Sequence, residues 1–259
     1  MNTAIKGLKT FYINTGNTGK ENLLVLHGWG ADVGTMMPII NILKEYYNVI
    51  AFDFPAHGGT EMPNGDWTVK DYADFTMGLI NELKIKKCHV LAHSFGARIA
   101  VEIAANKPEV FDKIILTGAA GLKKPQTAKQ RRRQTSYKVM VGFYKLLSKI
   151  PFIKAKALAL IDELRQKHSS KDYLALPKGM HQTFKNIVSY DQKSLLKKIK
   201  NNVLLIWGRD DSETTLWAAE IFRTEIPNSR LVIMQGGHFV FTSYPAAFCD
   251  FVLDFLGED

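Results

Sequence analysis

The sequence predicts an α/β fold in which helices flank a mostly parallel central sheet and a helical cap is inserted. Short apolar runs with strand character alternate with amphipathic helical patterns, and such alternation is typical of a parallel sheet covered on both faces. The alternation stops after Gly121 and resumes at Asn202. Residues 1–120 and 200–259 therefore form the predicted core, and residues 121–199 form the predicted cap.

The predicted elements follow one another in a regular order. Strands are expected near 22–26, 48–52, 87–92 and 113–117, helices at 35–45, 69–83 and 95–105, and two more strands after the insertion at 202–207 and 230–234. In open sheets of this kind, ligands bind outside the carboxyl ends of the strands. The residues that directly follow the strands are therefore the candidates for a functional site.

The segment Ala-His-Ser-Phe-Gly at residues 92–96 joins a predicted strand to a predicted helix. A serine on such a sharp turn presents an exposed nucleophilic hydroxyl, and the small residues Ala92 and Gly96 allow the two backbones to approach. Phe95 begins the helix, so its N–H has no intrahelical acceptor and can bind a developing oxyanion. The pattern predicts Ser94 as the nucleophile and the Phe95 N–H as half of an oxyanion hole.

The other half is expected after the first long strand, where His27-Gly28-Trp29-Gly30 follows the run 22–26. Two glycines let this backbone fold close to a ligand, so the Trp29 N–H is the second predicted oxyanion donor. The same segment is also consistent with a simple turn into the helix that begins near Val33.

A nucleophilic serine needs a base, and the base needs an orienting carboxylate. Each of the last two predicted strands is followed by a glycine turn with ionisable residues: Gly-Arg-Asp-Asp at 208–211 and Gly-Gly-His at 236–238. The resulting order is Ser94, then Asp210 or Asp211, then His238. This order differs from that of the chymotrypsin and subtilisin groups.

From about Leu23 to the C-terminal helix, the chain resembles the α/β-hydrolase family. The motifs that carry the resemblance are 27–30, Asp-Phe-Pro-Ala-His-Gly at 53–58, the Ser94 turn, 208–211 and 237–238. In the family the acid is usually third after the glycine that ends its strand, which implies Asp211 rather than Asp210. The alanine at position 92 departs from the family's usual glycine and leaves the substrate class open.

The resemblance implies a serine hydrolase that cleaves carboxylic esters or thioesters of small to medium apolar acyl groups, without a cofactor or metal. Alternatives are hydrolysis of acyl-carrier-protein-linked or CoA-linked esters, hydrolysis of carbon–carbon bonds, and a signalling receptor with little turnover. Serine at position 94 argues against dehalogenases and epoxide hydrolases, which use aspartate there.

Positive charge is concentrated in the predicted cap. Between residues 121 and 171 there are 14 Lys and Arg against two acids, a net charge of +12, whereas the whole chain carries +9. This field favours anionic partners, such as an acyl carrier or CoA ester bound at Arg131, Arg132 and Arg133. A solvated helical face explains it equally, an anionic membrane or lipid surface is a further alternative, and nucleic acid is not expected. For the apolar residues within 140–153, we predict pocket lining rather than membrane contact.

Composition adds three expectations. No segment approaches the ~20 apolar residues that cross a bilayer. Residues 1–9 lack the apolar stretch of a signal peptide, so a cytoplasmic location is expected. No metal-binding or phosphate-binding motif is found in the sequence.

Overall fold

The computed structural model describes residues 1–123, 127–168, 171–174, 176–177 and 179–258. The strands are β1 (Asn2–Ile5), β2 (Leu8–Asn14), β3 (Asn22–Leu26), β4 (Asn48–Phe52), β5 (Cys88–His93), β6 (Phe111–Thr117), β7 (Val203–Gly208) and β8 (Ser229–Met234). The helices are α1 (Val33–Leu43), α2 (Val69–Glu82), α3 (Phe95–Asn106), α4 (Ala128–Leu147), α5 (Lys154–His168), α6 (Lys171–Leu174), α7 (Met180–Ser189), α8 (Lys193–Leu196), α9 (Leu216–Glu225), α10 (Val240–Ser243) and α11 (Pro245–Gly257). A 3₁₀ helix at Pro151–Ile153 precedes α5.

The strands form one sheet in the order β1-β2-β4-β3-β5-β6-β7-β8. Strands β3 to β8 pair in parallel, whereas β1 pairs antiparallel with β2, and β2 with β4. The predicted mostly parallel sheet is thus confirmed. After β3, the chain forms β4 along one edge of β3 and then crosses over to form β5 along the other edge of β3. Such a reversal marks the crevice where open α/β sheets bind ligands.

The antiparallel pair β1–β2 was not predicted from the sequence. Lys6 and Gly7 join the two strands, with φ values of 49° and 79°. Two consecutive residues with positive φ form the kind of tight turn whose twist matches a hairpin. Lys-Gly is a weaker sequence signal for this turn than Asn-Gly, which is why the pattern did not reveal it.

Apolar side chains fill both faces of the sheet. One core cluster includes residues of α2, α3, α8 and α9, and the other includes residues of α1, α10 and α11. Strands β5 and β7 are buried over their full lengths, as expected for strands covered on both faces. This covering leaves the loops at the strand ends as the places where polar chemistry can occur.

The buried carboxylate of Asp53, directly after β4, holds two loops near the end of β3. Its Oδ1 accepts a hydrogen bond from the N–H of Val33 at 2.7 Å, and its Oδ2 accepts one from Gly59 at 2.7 Å. Val33 is the first residue of α1, where the helix dipole stabilises a negative charge. The loop that carries Trp29 is therefore anchored at its far end.

The chain divides into two compact units: one contains residues 1–122 and 185–259, and the other contains residues 123–184. Positions 124–126, 169–170, 175 and 178 of the predicted cap lie outside the described residues. Residues 185–199, which the sequence analysis assigned to the cap, cluster with the first unit. The side chain of Gln192 explains part of this, because it donates a hydrogen bond to the carbonyl oxygen of Arg98 in α3 at 2.9 Å. In the described part of the chain, no helix is both long and apolar enough to cross a membrane.

Candidate active site

Ser94 lies at the turn between β5 and α3 in a strained backbone conformation. Its φ and ψ are 50° and −105°, a region that residues with a side chain rarely adopt. A serine at the N-cap commonly accepts a hydrogen bond from the first turn of its helix, but the Ser94 side chain makes no such bond. The strained turn thus keeps the hydroxyl out of the helix and available for chemistry.

Gly96 allows the start of α3 to pack against the end of β3. A Cβ atom at this position would lie 2.6 Å from the carbonyl oxygen of Leu26 and 2.7 Å from that of His27. These are backbone atoms that cannot move without moving the strand. The Gly96 N–H donates a hydrogen bond to the same His27 oxygen at 3.1 Å. The small residue that the motif requires is therefore explained by close backbone contact.

Asp211 and His238 follow the neighbouring parallel strands β7 and β8, and their side chains meet. The Nδ1 of His238 lies 2.8 Å from Oδ2 of Asp211, and both residues are buried. Oδ1 of Asp211 accepts two backbone hydrogen bonds, from Glu213 and Thr214, and the Thr214 hydroxyl donates to Oδ2. Burial raises the pKa of Asp211, but the hydrogen bonds from His238 and Thr214 outweigh this effect, so the pKa lies below its ordinary value. The carboxylate is therefore ionised and oriented toward the imidazole.

Gly118, directly after β6, makes room for this pair. A Cβ atom at Gly118 would lie 3.0 Å from Nδ1 of His238 and 3.3 Å from Oδ2 of Asp211. Its φ of 51° is also one that glycine adopts at little cost. Gly118 was not among the predicted site residues, although a glycine directly after a predicted strand was a signal that could have found it.

Two buried histidines support the loops around Ser94. Nε2 of His93 lies 3.1 Å from the backbone oxygen of His238. Nε2 of His27 accepts a hydrogen bond from the Phe54 N–H at 2.9 Å. Burial lowers the pKa of both imidazoles to about 3. As neutral rings they hold these loops through hydrogen bonds.

Trp29 and Phe95 lie side by side, as their predicted pairing requires. Their ring centroids are 5.2 Å apart in an edge-to-face arrangement, and the ring of His57 lies 4.8 Å from that of Trp29. The backbone hydrogen bond from Gly96 to His27 also joins the two segments. The structure thus places the two side chains in contact, and the role of the Trp29 and Phe95 N–H groups as oxyanion donors stays a prediction.

The predicted base, His238, faces an additional carboxylate that was not predicted from the sequence. Within the described residues, no hydrogen bond joins Oγ of Ser94 to His238. Nε2 of His238 instead lies 3.5 Å from Oε2 of Glu213, whose side chain is 61% exposed. Catalytic hydrogen bonds often tighten only when substrate is bound. Because Glu213 lies in an aperiodic polar loop, no sequence pattern indicated where its side chain reaches.

We expect Glu213→Gln to lower kcat by about two- to fivefold, because an exposed carboxylate stabilises a nearby imidazolium by only ~1 kcal/mol or less. The reduction in kcat is expected to be smaller at high salt, because salt already screens the attraction between Glu213 and His238 in the wild type. The measurement is kcat at low and high NaCl, with Glu220→Gln on α9 as the control. An increase in kcat for Glu213→Gln would contradict the expectation and indicate that the carboxylate competes with Ser94 for the imidazole.

Comparison with known proteins agrees with this architecture. A family model described as alpha/beta hydrolase fold matches residues 21–243. The uncharacterized hydrolase YugF of Bacillus subtilis is 24% identical over 97% of this chain and 96% of its own length. A poly(3-hydroxyalkanoate) depolymerase of Ectopseudomonas oleovorans is 26% identical over 92% of this chain and 84% of its own.

Among solved structures, the enol-lactonase from Burkholderia xenovorans LB400 superposes with a TM-score of 0.76. It is 21% identical, with full coverage of both chains. The chain belongs to the α/β-hydrolase fold family. It is a hydrolase of that fold.

Proposed function

We propose that the protein is a serine hydrolase that cleaves carboxylic esters or thioesters of small to medium apolar acyl groups through an acyl-enzyme intermediate. The observation that carries this proposal is the 2.8 Å contact between the buried Asp211 and His238, beside a serine on a strained turn. An ionised, oriented carboxylate fixes the imidazole tautomer whose Nε2 can accept a proton.

In the proposed reaction, Nε2 of His238 takes the hydroxyl proton of Ser94 as Oγ attacks the ester carbonyl. The N–H groups of Trp29 and Phe95 stabilise the oxyanion of the tetrahedral intermediate. The intermediate collapses, the bond to the alcohol breaks, and the alcohol leaves with the proton from His238. Water then attacks the acyl-enzyme with the same base, which releases the acid and restores Ser94.

The test is steady-state hydrolysis of p-nitrophenyl esters from acetyl to palmitoyl by the full chain. Multiple turnover with a maximum at short or medium acyl chains is expected, preceded by a burst of nitrophenolate where deacylation is slow. Octanoyl-CoA and a β-diketone extend the panel to thioesters and carbon–carbon bonds.

The panel also decides among the alternatives. Turnover of octanoyl-CoA far above that of the nitrophenyl esters would favour an anionic thioester bound at Arg131–Arg133. Cleavage of the diketone alone would replace the ester proposal with carbon–carbon bond hydrolysis. Single-turnover hydrolysis of every compound would favour a receptor role.

A further inference from the structure

The second unit presents a row of exposed apolar side chains that the proposed reaction does not use. Val139, Phe143 and Leu146 are spaced by four and three residues on α4, so they lie on one face of the helix. Ile150 and Phe152 follow in the turn and the 3₁₀ helix. These five residues form the exposed stripe, and their exposed fractions are 64%, 56%, 62%, 46% and 98% in chain order.

The stripe is distinct from the face of α4 that is partly covered. Tyr137, Val141 and Tyr144 repeat at the same helical spacing on the opposite side of α4 and are half-buried. Helices α4 and α5 pack against each other, and Ala157 and Ile161 of α5 are buried. The helix therefore has a second apolar face beyond the one that its own unit covers. The sequence pattern favoured pocket lining for this segment, but these side chains are exposed and available to a partner.

A row of lysines runs alongside the stripe. Lys138 and Lys145 each directly precede a stripe residue on α4, where consecutive residues are about 100° apart, and Lys149 directly precedes Ile150 in the turn after the helix. All three are exposed, and none forms an ion pair with a described residue. The segment thus combines an apolar row with a parallel cationic row about a quarter turn away.

We propose that the exposed stripe and its lysine row bind this protein to the surface of an anionic lipid membrane. The apolar side chains would lie at the boundary between headgroups and acyl chains, with Phe152 inserted most deeply, while the lysines reach the lipid phosphates. The high positive charge of the segment argues against a second copy, because two such surfaces repel each other. The almost fully exposed Phe152 protrudes, which fits insertion into lipid better than contact with a rigid protein surface.

Co-sedimentation of the full chain with vesicles tests this proposal. At 0.1 M NaCl, binding to phosphatidylcholine vesicles containing 30% phosphatidylglycerol is expected to exceed binding to pure phosphatidylcholine by at least tenfold. The triple variant Lys138→Gln, Lys145→Gln, Lys149→Gln is expected to bind about 100-fold more weakly, because each lysine near an anionic surface contributes about fivefold. The double variant Phe143→Ser, Leu146→Ser is expected to bind at least about tenfold more weakly with its charge unchanged.

The matched control is Lys6→Gln, Lys86→Gln, Lys198→Gln, which removes the same charge from exposed positions in the other unit. It is expected to stay within about threefold of wild type. Equal binding to both vesicle types would overturn the proposal. So would an equal loss of vesicle binding in the two triple Lys→Gln variants.

Two further outcomes would assign the stripe to another partner and so overturn the lipid assignment. One is stripe-dependent dimerisation without vesicle binding. The other is stripe-dependent binding of an acidic acyl carrier protein without vesicle binding. Hydrolysis of a water-soluble ester by every variant reports whether the fold is intact, so failure of the lipid proposal is distinguishable from failure of the proposed function.

Discussion

Ser94→Ala is expected to lower kcat for ester hydrolysis by about 10⁶-fold, because the variant removes the attacking oxygen. The backbone of Ser94 has a φ of 50°, and alanine occupies this conformation with no more strain than serine. The variant is therefore expected to fold normally and to bind substrate without forming an acyl-enzyme. Steady-state rates and the nitrophenolate burst, both of which are expected to vanish, measure the effect.

Ser212→Ala is the matched control, since Ser212 is exposed and directly follows Asp211. Its activity is expected to equal that of wild type. If Ser94→Ala retained more than a small fraction of the activity, another group would be the nucleophile, and the proposed reaction would be wrong even if the protein hydrolyses esters.

Asp211→Asn is expected to lower kcat by about 10⁴-fold with little change in KM. The substitution preserves the shape of the side chain, but the neutral amide no longer stabilises the imidazolium or selects the tautomer with a free Nε2. Hydrogen bonds from Glu213 and Thr214 already fix the position of the side chain, so the loss is expected to be in chemistry and not in loop position.

The adjacent Asp210 provides the control for this variant. Asp210 accepts a hydrogen bond from the side chain of Gln235 at 2.9 Å and, within the described residues, forms no hydrogen bond or ion pair with His238. Asp210→Asn is expected to keep kcat within about twofold of wild type, as surface substitutions usually do. The reverse ranking of the two variants would transfer the acid role from Asp211 to Asp210.

Much of the architecture was predictable because the central strands are continuous buried runs bounded by turn residues. β3 and β4 begin and end where the sequence placed them. The contact between Asp211 and His238 follows from the same physics, since loops after neighbouring parallel strands meet at one edge of the sheet. The pairing of β7 with β8 is a finding of the structure, and the choice of Asp211 over Asp210 came from the resemblance to the family.

Other features depend on side-chain reach or on contacts that no pattern encodes. Glu213 approaches His238 from a loop without periodicity, and Gly118 matters only because two distant loops converge on it. The exposed stripe has the composition of a buried helix face, so the sequence alone could not distinguish side chains that line a pocket from side chains exposed to solvent. Tertiary packing decides these cases.

The buried histidines beside Ser94 have a consequence for kinetics. Because His27 and His93 titrate near 3, they stay neutral over the range in which hydrolysis is measured, about pH 5 to 9. The contact between His93 and the backbone of His238 therefore persists across that range. An inflection in a plot of log(kcat/KM) against pH in that range therefore does not report an ionisation of His27 or His93.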